Sequence, residues 1–428
     1  MRLWLSSLQW VAFILAGTIV VPIVIGEAFG MSTPEIAAFL QRTLFVLGIA
    51  GLLQVLFGHR LPIMEGPAGL WWGIFIVYAG LVSSGGLSGE SALRQLEAGM
   101  LISGTLFLIA GLFRWIDAIK KLFTPLVTGT YLILLVAQLS GSFIKGILGI
   151  NYFTEGVDPK VALPAIGILI FAILLSKSRI AFVKSYSILI SLVVGWLLFY
   201  LLGLTRPMTA TEGWVTLPEF LAFGIPEFSS GMTITAVMTA LLLLTNMIAS
   251  IKVMENVMKQ QNAYKKAANY NHSSIITGIN QWLSGLFAAV GSVPLSSTAG
   301  FLMTTKTVEK LPFIIGNVIV VSISFFPIFT SFVASIPPPV GYAVIFITIA
   351  SLSSLGVKEY HSLKMTENEL FIISLALMIG IGSLFVPGEA LTHLPGVVMS
   401  IANNGLILGT VTCIVLEQIF IYLEKRKK

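Results

Sequence analysis

Two short runs of small and hydroxyl-bearing residues interrupt an otherwise apolar chain: Glu65-Gly66-Pro67-Ala68-Gly69 and Pro294-Leu295-Ser296-Ser297-Thr298-Ala299-Gly300. Neither contains a nucleophile beside a base, a pair of acids or a cluster of metal ligands, so neither is equipped to break bonds. Both are equipped to bind. Glycine and proline release backbone N–H and C=O groups from the helical ladder, and each hydroxyl offers a small polar solute a donor and an acceptor. Other polar residues in apolar surroundings are Gln9 in SLQW (7–10), Asn246 and Ser250 in LLTNMIASIKVMEN (243–256), and Asn280 and Gln281. An amide such as Asn246 presents one acceptor and two donors, suited to a solute edge or to a hydrogen bond between helices. Glu65 reads two ways: as a group that titrates or guards an inner mouth, and as an acid answering His59 and Arg60 at the cytoplasmic entrance. Glu255, three residues from Lys252 and four from Lys259, has the spacing of helix-face ion pairs.

The elements that must position these residues are membrane helices. Of 428 residues, 56% are hydrophobic and 10% charged, with a mean hydropathy of +0.94; a soluble globular chain is about one quarter charged. This composition excludes a soluble enzyme and predicts an all-α polytopic membrane protein. The single cysteine, Cys413, excludes a disulfide within the chain and a cysteine-cluster metal site, and no cofactor is expected. The opening run MRLWLSSLQWVAFILAGTIVVPIVIG is long enough to span and has no small-residue cleavage site followed by soluble sequence, so it reads as the first span.

Windows of about 20 apolar residues give fourteen candidate spans, centred near residues 17, 46, 73, 104, 133, 168, 193, 245, 281, 300, 324, 347, 377 and 413. With both termini cytoplasmic, 20 of the 25 Lys and Arg residues fall inside and only Arg42, Arg94, Lys145, Lys160 and Arg206 fall outside, the asymmetry expected of short loops. The formal charge of +6 therefore reflects topology and the anionic headgroups of a cell membrane, with nucleic acid a poor second reading.

Fourteen spans divide into seven plus seven across the outer loop near residues 204–230, and an odd number per half inverts the second half relative to the first. The two polar runs then fall in spans 3 and 10, the third of each half, as short extended stretches. Inverted repeats with matched interruptions are the plan of many secondary transporters. Irregular backbone at membrane depth is tolerated only where protein buries it or it lines a polar cavity, and each interruption turns a helix N-terminal dipole toward that cavity. The alternative is that Gly and Pro kink the helices or permit close packing.

Several blocks, in order, resemble the nucleobase–cation symporter-2, or nucleobase–ascorbate transporter, family: SLQW (7–10), LLQVLFGHRLPIMEGPAG (52–69), NQWLSGLFAAVGSVP (280–294), IPPPVGYAVIFITIASLSSLGV (336–357) and LFVPGEALTHLPGVVMSIANNGLILG (384–409). The resemblance implies a core domain of spans 1–4 and 8–11 (residues 1–114 and 205–335) and a gate domain of spans 5–7 and 12–14 (residues 115–204 and 336–428). It also implies uptake of uracil, xanthine or a related base, usually proton-driven, by a homodimer. The family's span 10 signature is an acid or Gln, then Asn, then a Gly, a Thr and a basic residue; Gly300, Thr305 and Lys306 match its spacing, with Ser297 and Thr298 in the leading places. Asn246 stands where many members have a substrate-binding glutamate and Ser250 where some have histidine. Trp10 follows Gln9 where histidine is usual.

The substrate site that the resemblance implies comprises Gln9, Gly66, Pro67, Ala68, Gly69, Asn246, Ser250, Ser296, Ser297, Thr298, Ala299 and Gly300. A nucleobase presents N–H donors beside carbonyl acceptors, which amides, hydroxyls and freed backbone complement. Asn246 cannot carry a proton, and the four histidines fall in loops or at span ends. The departures thus allow an uncoupled facilitator, leave sodium coupling open, and leave Glu65 as the coupling acid otherwise. Trp71 and Trp72 read either as stacking surfaces or as lipid-facing residues, and WIDAIKKLF (115–123) as an amphipathic inner-surface helix. Two further classes stay open: an anion transporter of the related seven-plus-seven plan, which needs a cation near the breaks where the sequence offers only peripheral Lys252 and Lys306, and a nucleobase sensor that does not transport.

Overall fold

The computed structural model describes residues 2–116, 124–150, 152–205, 213–262, 267–305, 308–386 and 405–427. Lys306, His393, most of the 115–123 stretch and most of the 384–409 block lie outside the described residues. The chain folds as helices with two three-residue strands. In order these are α1 (Arg2–Thr18), α2 (Val20–Ala28), α3 (Thr33–Leu56), β1 (Glu65–Pro67), α4 (Gly69–Ser83), α5 (Gly89–Leu112), α6 (Pro125–Ile147), α7 (Pro159–Ser176), α8 (Ala181–Ser185) and α9 (Ser187–Leu201). The second half supplies α10 (Ser230–Gln260), α11 (Tyr270–Leu286), β2 (Ser292–Pro294), α12 (Ser297–Thr305), α13 (Lys310–Ser324), α14 (Pro327–Ala334), α15 (Pro338–His361), α16 (Glu367–Ser383) and α17 (Gly405–Lys427).

Helix starts follow local chemistry. Ser32 and Glu35 form a capping box at α3, Thr366 and Glu369 another at α16, and the hydroxyls of Thr124 and Ser229 and the carboxylate of Asp158 accept the first free N–H groups of α6, α10 and α7. Pro34, Pro125 and Pro159 sit in first turns, where a missing N–H costs nothing.

Among the described residues six helical segments are long and apolar enough to cross a membrane alone; α13 and α14, bent by 87°, add a seventh if counted together. The span expected near residue 324 is centred on that bend, which falls between Ser324 and Pro327, because Pro327 has no N–H to continue the ladder. α4 and α9, at 15 residues each, are shorter apolar helices.

Two packing groups stand out. α5 lies along α11, α3 along α13 and α14, α1 along α13, and α10 along α5; separately, α15 packs on α6 and α7, α17 on α16 and α6, and α9 on α7. The α5–α11 seam is built on glycine: a Cβ at Gly104 would stand 2.7 Å from the Gly278 carbonyl, and one at Gly278 would stand 2.7 Å from the Gly104 carbonyl. In lipid, where tails are as apolar as side chains, such close backbone approach is what joins helices. The segment before α10, residues 213–229, folds over one end of the first group. Gln41 bonds to Thr216, Leu221 N donates to the Leu286 carbonyl, and Ser91 and Gln95 bond to Glu227.

Candidate substrate site

β1 and β2 meet each other. They pair antiparallel, Glu65 opposite Pro294, Gly66 opposite Val293 and Pro67 opposite Ser292. The ribbon extends on both sides, with Ala68 N donating to the Gly291 carbonyl at 2.8 Å and Leu295 N to the Met64 carbonyl at 3.0 Å. Each strand leads straight into a helix start, α4 at Gly69 and α12 at Ser297, so antiparallel pairing points the two N-termini in opposing directions at one crossing. Prolines in both strands remove ladder donors and keep the ribbon short. At Gly66 a Cβ would meet Leu295 Cδ1 and come within 3.2 Å of Met64 Cε.

Polar side chains from neighbouring helices hold the crossing. Gln281 of α11 donates Nε2–H to the Ser292 carbonyl at 2.6 Å, and Asn280 Nδ2 reaches the Ala50 carbonyl at 3.5 Å. Gln281 thus supports the second strand and Asn280 the α3–α11 packing. Thr298 Oγ1 accepts from Met64 N at 3.2 Å and keeps its own proton to donate. Ser297 and Ser296 are exposed at the start of α12, and Ala299 is buried behind them. On α10, Asn246 is half-buried, while Ser250 is buried with a hydroxyl that has no hydrogen-bond partner. Gln9 is half-buried one helical turn before Phe13 on α1.

A cavity of about 720 Å³ opens beside the ribbon. One wall is Phe13, Ala16 and Gly17 of α1 with Met64, Leu295, Ser297 and Phe301; the facing wall is Ser178, Arg179, Lys184, Ser187 and Ile188 around α8 and α9. Phe13 and Phe301 stack at 4.3 Å between ring centroids with an interplanar angle of 20°, backed by Trp10 at 4.7 Å from Phe301. Phe13 and Phe301 line the cavity, with Trp10 buried behind them. Trp71 and Trp72 do neither of the things expected of them: both are buried in protein, Trp71 over Gly291 and Gly99, Trp72 edge-on to Phe143 at 5.3 Å. They are packed there because α4 is enclosed by α2, α5, α6 and α10 instead of lipid.

Of the residues proposed from sequence, Ser297 lines the cavity, Gly66, Pro67 and Ala68 belong to the ribbon and Gly69 opens α4. Ser297–Gly300, read from sequence as part of an extended stretch, are instead the first turn of α12, because the strand ends at Pro294. Gln9 on α1 and Asn246 and Ser250 on α10 are not among the residues that line the cavity. Sequence reasoning missed three things. Arg179 and Lys184 stand on the cavity wall, though they read as inner-surface charges. His59, expected at a span end, is buried, with Nε2 3.7 Å from Glu65 Oε1. Glu255 accepts from Ala268 N at 2.7 Å and from Tyr270 Oη at 3.1 Å, tying α10 to the start of α11 beyond the helix-face pairing its spacing suggested.

A chain of apolar helices crossed by two paired extended stretches beside an aromatic and hydroxyl-lined cavity is a polytopic membrane permease. The Xan_ur_permease model, described as a permease family, matches residues 1–389, and the chain belongs to that family of nucleobase permeases. It is 41% identical over its full length to YwdJ of Bacillus subtilis (strain 168), covering 98% of that protein. It is 24% identical to the uric acid permease PucK of the same organism, over 98% of this chain and 96% of PucK. In fold it is similar to the transmembrane domain of a cyanobacterium bicarbonate transporter, BicA, with a TM-score of 0.63 at 14% identity over 97% and 96% of the two chains. Its relatives are transporters and not enzymes.

Proposed function

We propose that this protein is a purine or pyrimidine nucleobase permease, with xanthine or uracil as first candidates, working by alternating access across a cell membrane with both termini cytoplasmic. The base binds at the β1–β2 crossing. Gly66, Pro67, Ala68 and Gly69 on one side and Ser296, Ser297, Thr298, Ala299 and Gly300 on the other offer freed backbone and hydroxyls; Asn246 holds the imide edge, with Gln9 and Ser250 completing the polar lining. Phe13 and Phe301 offer ring faces to a planar solute.

The observation that carries this reading is the antiparallel pairing of β1 with β2 next to the cavity. Its architecture is fourteen spans in a seven-plus-seven inverted repeat, spans 3 and 10 being the extended stretches with α4 and α12. The core is residues 1–114 and 205–335 and the gate 115–204 and 336–428, and the two packing groups support that division. The cavity falls between the two units, where alternating access needs the substrate to be. The assembly is a homodimer in the bilayer.

Uptake of labelled xanthine and uracil into cells lacking their own permeases tests the reading, with Asn246→Leu, Gly69→Leu and Ala299→Leu as variants. Loss of uptake in all three, from proteins that reach the membrane, is expected; unchanged affinity in all three moves the site elsewhere. A second reading, transport of an inorganic anion, is favoured by one observation, the Arg179 and Lys184 side chains on the cavity wall. Competition of xanthine uptake by bicarbonate or sulfate decides it.

A further inference from the structure

We propose that Glu65, positioned by His59, is the proton-binding site of this permease. The inference rests on the permease reading above and adds the coupling group to it.

Both residues are enclosed, Glu65 at 1% and His59 at 2% exposure. Neither oxygen of Glu65 has a hydrogen-bond partner, nor does His59 Nε2, which stands 3.7 Å from Oε1. Native proteins rarely leave buried polar atoms unpaired, and three such atoms facing one another within one buried pair call for a functional explanation. The tautomer of His59 follows from its other nitrogen. Nδ1 accepts the Leu61 backbone N–H at 3.0 Å, so Nδ1 carries no proton and the ring proton sits on Nε2, aimed at Glu65. The imidazole cannot take a second proton without breaking that bond. A proton arriving at the pair therefore goes to the carboxylate.

The turn holding His59 is rigid. Gln54 Oε1 accepts from His59 N at 3.3 Å, and Gln54 Nε2 donates to the Ser273 carbonyl and to Thr277 Oγ1 on α11. A side chain at Gly58 would run into the Gln54 amide. Arg60, with φ of +60°, turns outward and is exposed.

Glu65 reports to the cavity through the strand. Side chains alternate along β1, so Met64, which lines the cavity, and Glu65 lie on opposite faces of the ribbon. Glu65 pairs with Pro294, the neighbour of cavity-lining Leu295. A charged carboxylate draws the Nε2–H toward it, and a protonated one releases it; either change is felt by the ribbon that carries the cavity wall. Lys310 of α13 acts electrostatically on His59. α1 and α3 pack against β1; Glu35 and Arg42 lie in the opposite half of α3, α12 carries no titratable residue in its described length, and Glu255 of α10 is engaged with Ala268 and Tyr270. In the transport cycle one proton from the outer aqueous phase adds to the Glu65 carboxylate and leaves to the inner phase; no other bond changes.

The test uses the full-length protein in lipid vesicles with two readouts. Infrared difference spectra between alkaline and acidic buffer, without substrate, report a carboxylic-acid C=O band; xanthine uptake under an inside-alkaline pH gradient reports coupling. Glu65→Gln is expected to remove one such band and bring the accumulation ratio down to about one. Glu65→Asp keeps a titrating carboxyl, so it is expected to retain a band and accumulation above one. His59→Gln, which replaces the Nε2 donor, is expected to move the pH midpoint of the band, and it decides the matter if Glu65→Gln does not fold. A band unchanged in Glu65→Gln, or a midpoint unmoved in His59→Gln, overturns the proposal, as does undiminished accumulation by Glu65→Gln. Absence of any xanthine or uracil counterflow in the wild type sinks the permease reading instead, while the infrared result still decides whether Glu65 titrates.

Discussion

Gln281 donates its side-chain Nε2–H to the carbonyl of Ser292 at 2.6 Å, so the helix before the second extended stretch holds the stretch itself in place. The bond lies in fully buried surroundings, and the carbonyl it satisfies belongs to a strand that also pairs with β1.

Gln281→Leu removes the donor and leaves a buried carbonyl unpaired, a loss of about 1–3 kcal/mol. A melting temperature several degrees lower in detergent, with xanthine affinity reduced, is expected. An unchanged melt would show that the ribbon stands without this tether.

Gly104→Val and Gly278→Val each place a side chain against the facing carbonyl on the α5–α11 seam. Overpacking of this kind costs about 1–3 kcal/mol and often more between rigid helices. Both variants should give little monodisperse protein on size-exclusion chromatography, whereas Gly80→Val, where a Cβ meets nothing within 4 Å, should behave as wild type.

Arg179→Ala with Lys184→Ala removes two positive side chains from the cavity wall. Charges lining an entrance concentrate oppositely charged solutes by about tenfold or more at low ionic strength, an effect that salt screens. KM for urate, an anion, should rise about tenfold at low salt and less at high salt; KM for neutral uracil should barely move. Equal changes for both solutes would assign these residues to packing.

Cys413 is the only thiol in the sequence and is buried between α17 and α6, its Sγ 3.5 Å from Thr130 Oγ1, which also meets Tyr360 Oη at 2.9 Å. A membrane-permeant maleimide should label it slowly in the folded protein and completely in sodium dodecyl sulfate. Rapid labelling in native vesicles would mean that this contact opens during the cycle.

What the sequence made legible was what local composition encodes. Apolar length marks helices, and the Gly-Pro run at 66–67 falls in β1, but the hydroxyl run 297–300 read as extended is the start of α12, and the second strand lies just before it at Ser292–Pro294. The direct pairing of the two strands is not legible, because no local pattern records a partner on a distant segment. The Glu65–His59 approach is hidden for a related reason. Five residues separate them, and only the turn around Gly58, closed by Gln54 from α3, folds the imidazole back inside. Arg179 and Lys184 read from the sequence as inner-surface charges, and no local pattern shows that they stand on a cavity wall. Trp71 and Trp72 mislead because tryptophan in membrane proteins is most often interfacial, and α4 is enclosed on several sides.

The crossing also sets an order of events during synthesis. The first half emerges from the ribosome with the edge of β1 exposed, and the strand that satisfies its N–H and C=O groups is residues 292–294 of the second half. Until that segment is inserted, this edge must be kept from lipid by water, by the insertion machinery or by provisional neighbours, because hydrocarbon offers it no partner. The helices can enter the bilayer one after another, but the ribbon is completed late and all at once, so a chain truncated anywhere before residue 292 should be held as an immature membrane intermediate and cleared by quality-control proteases instead of surviving as a half-sized protein.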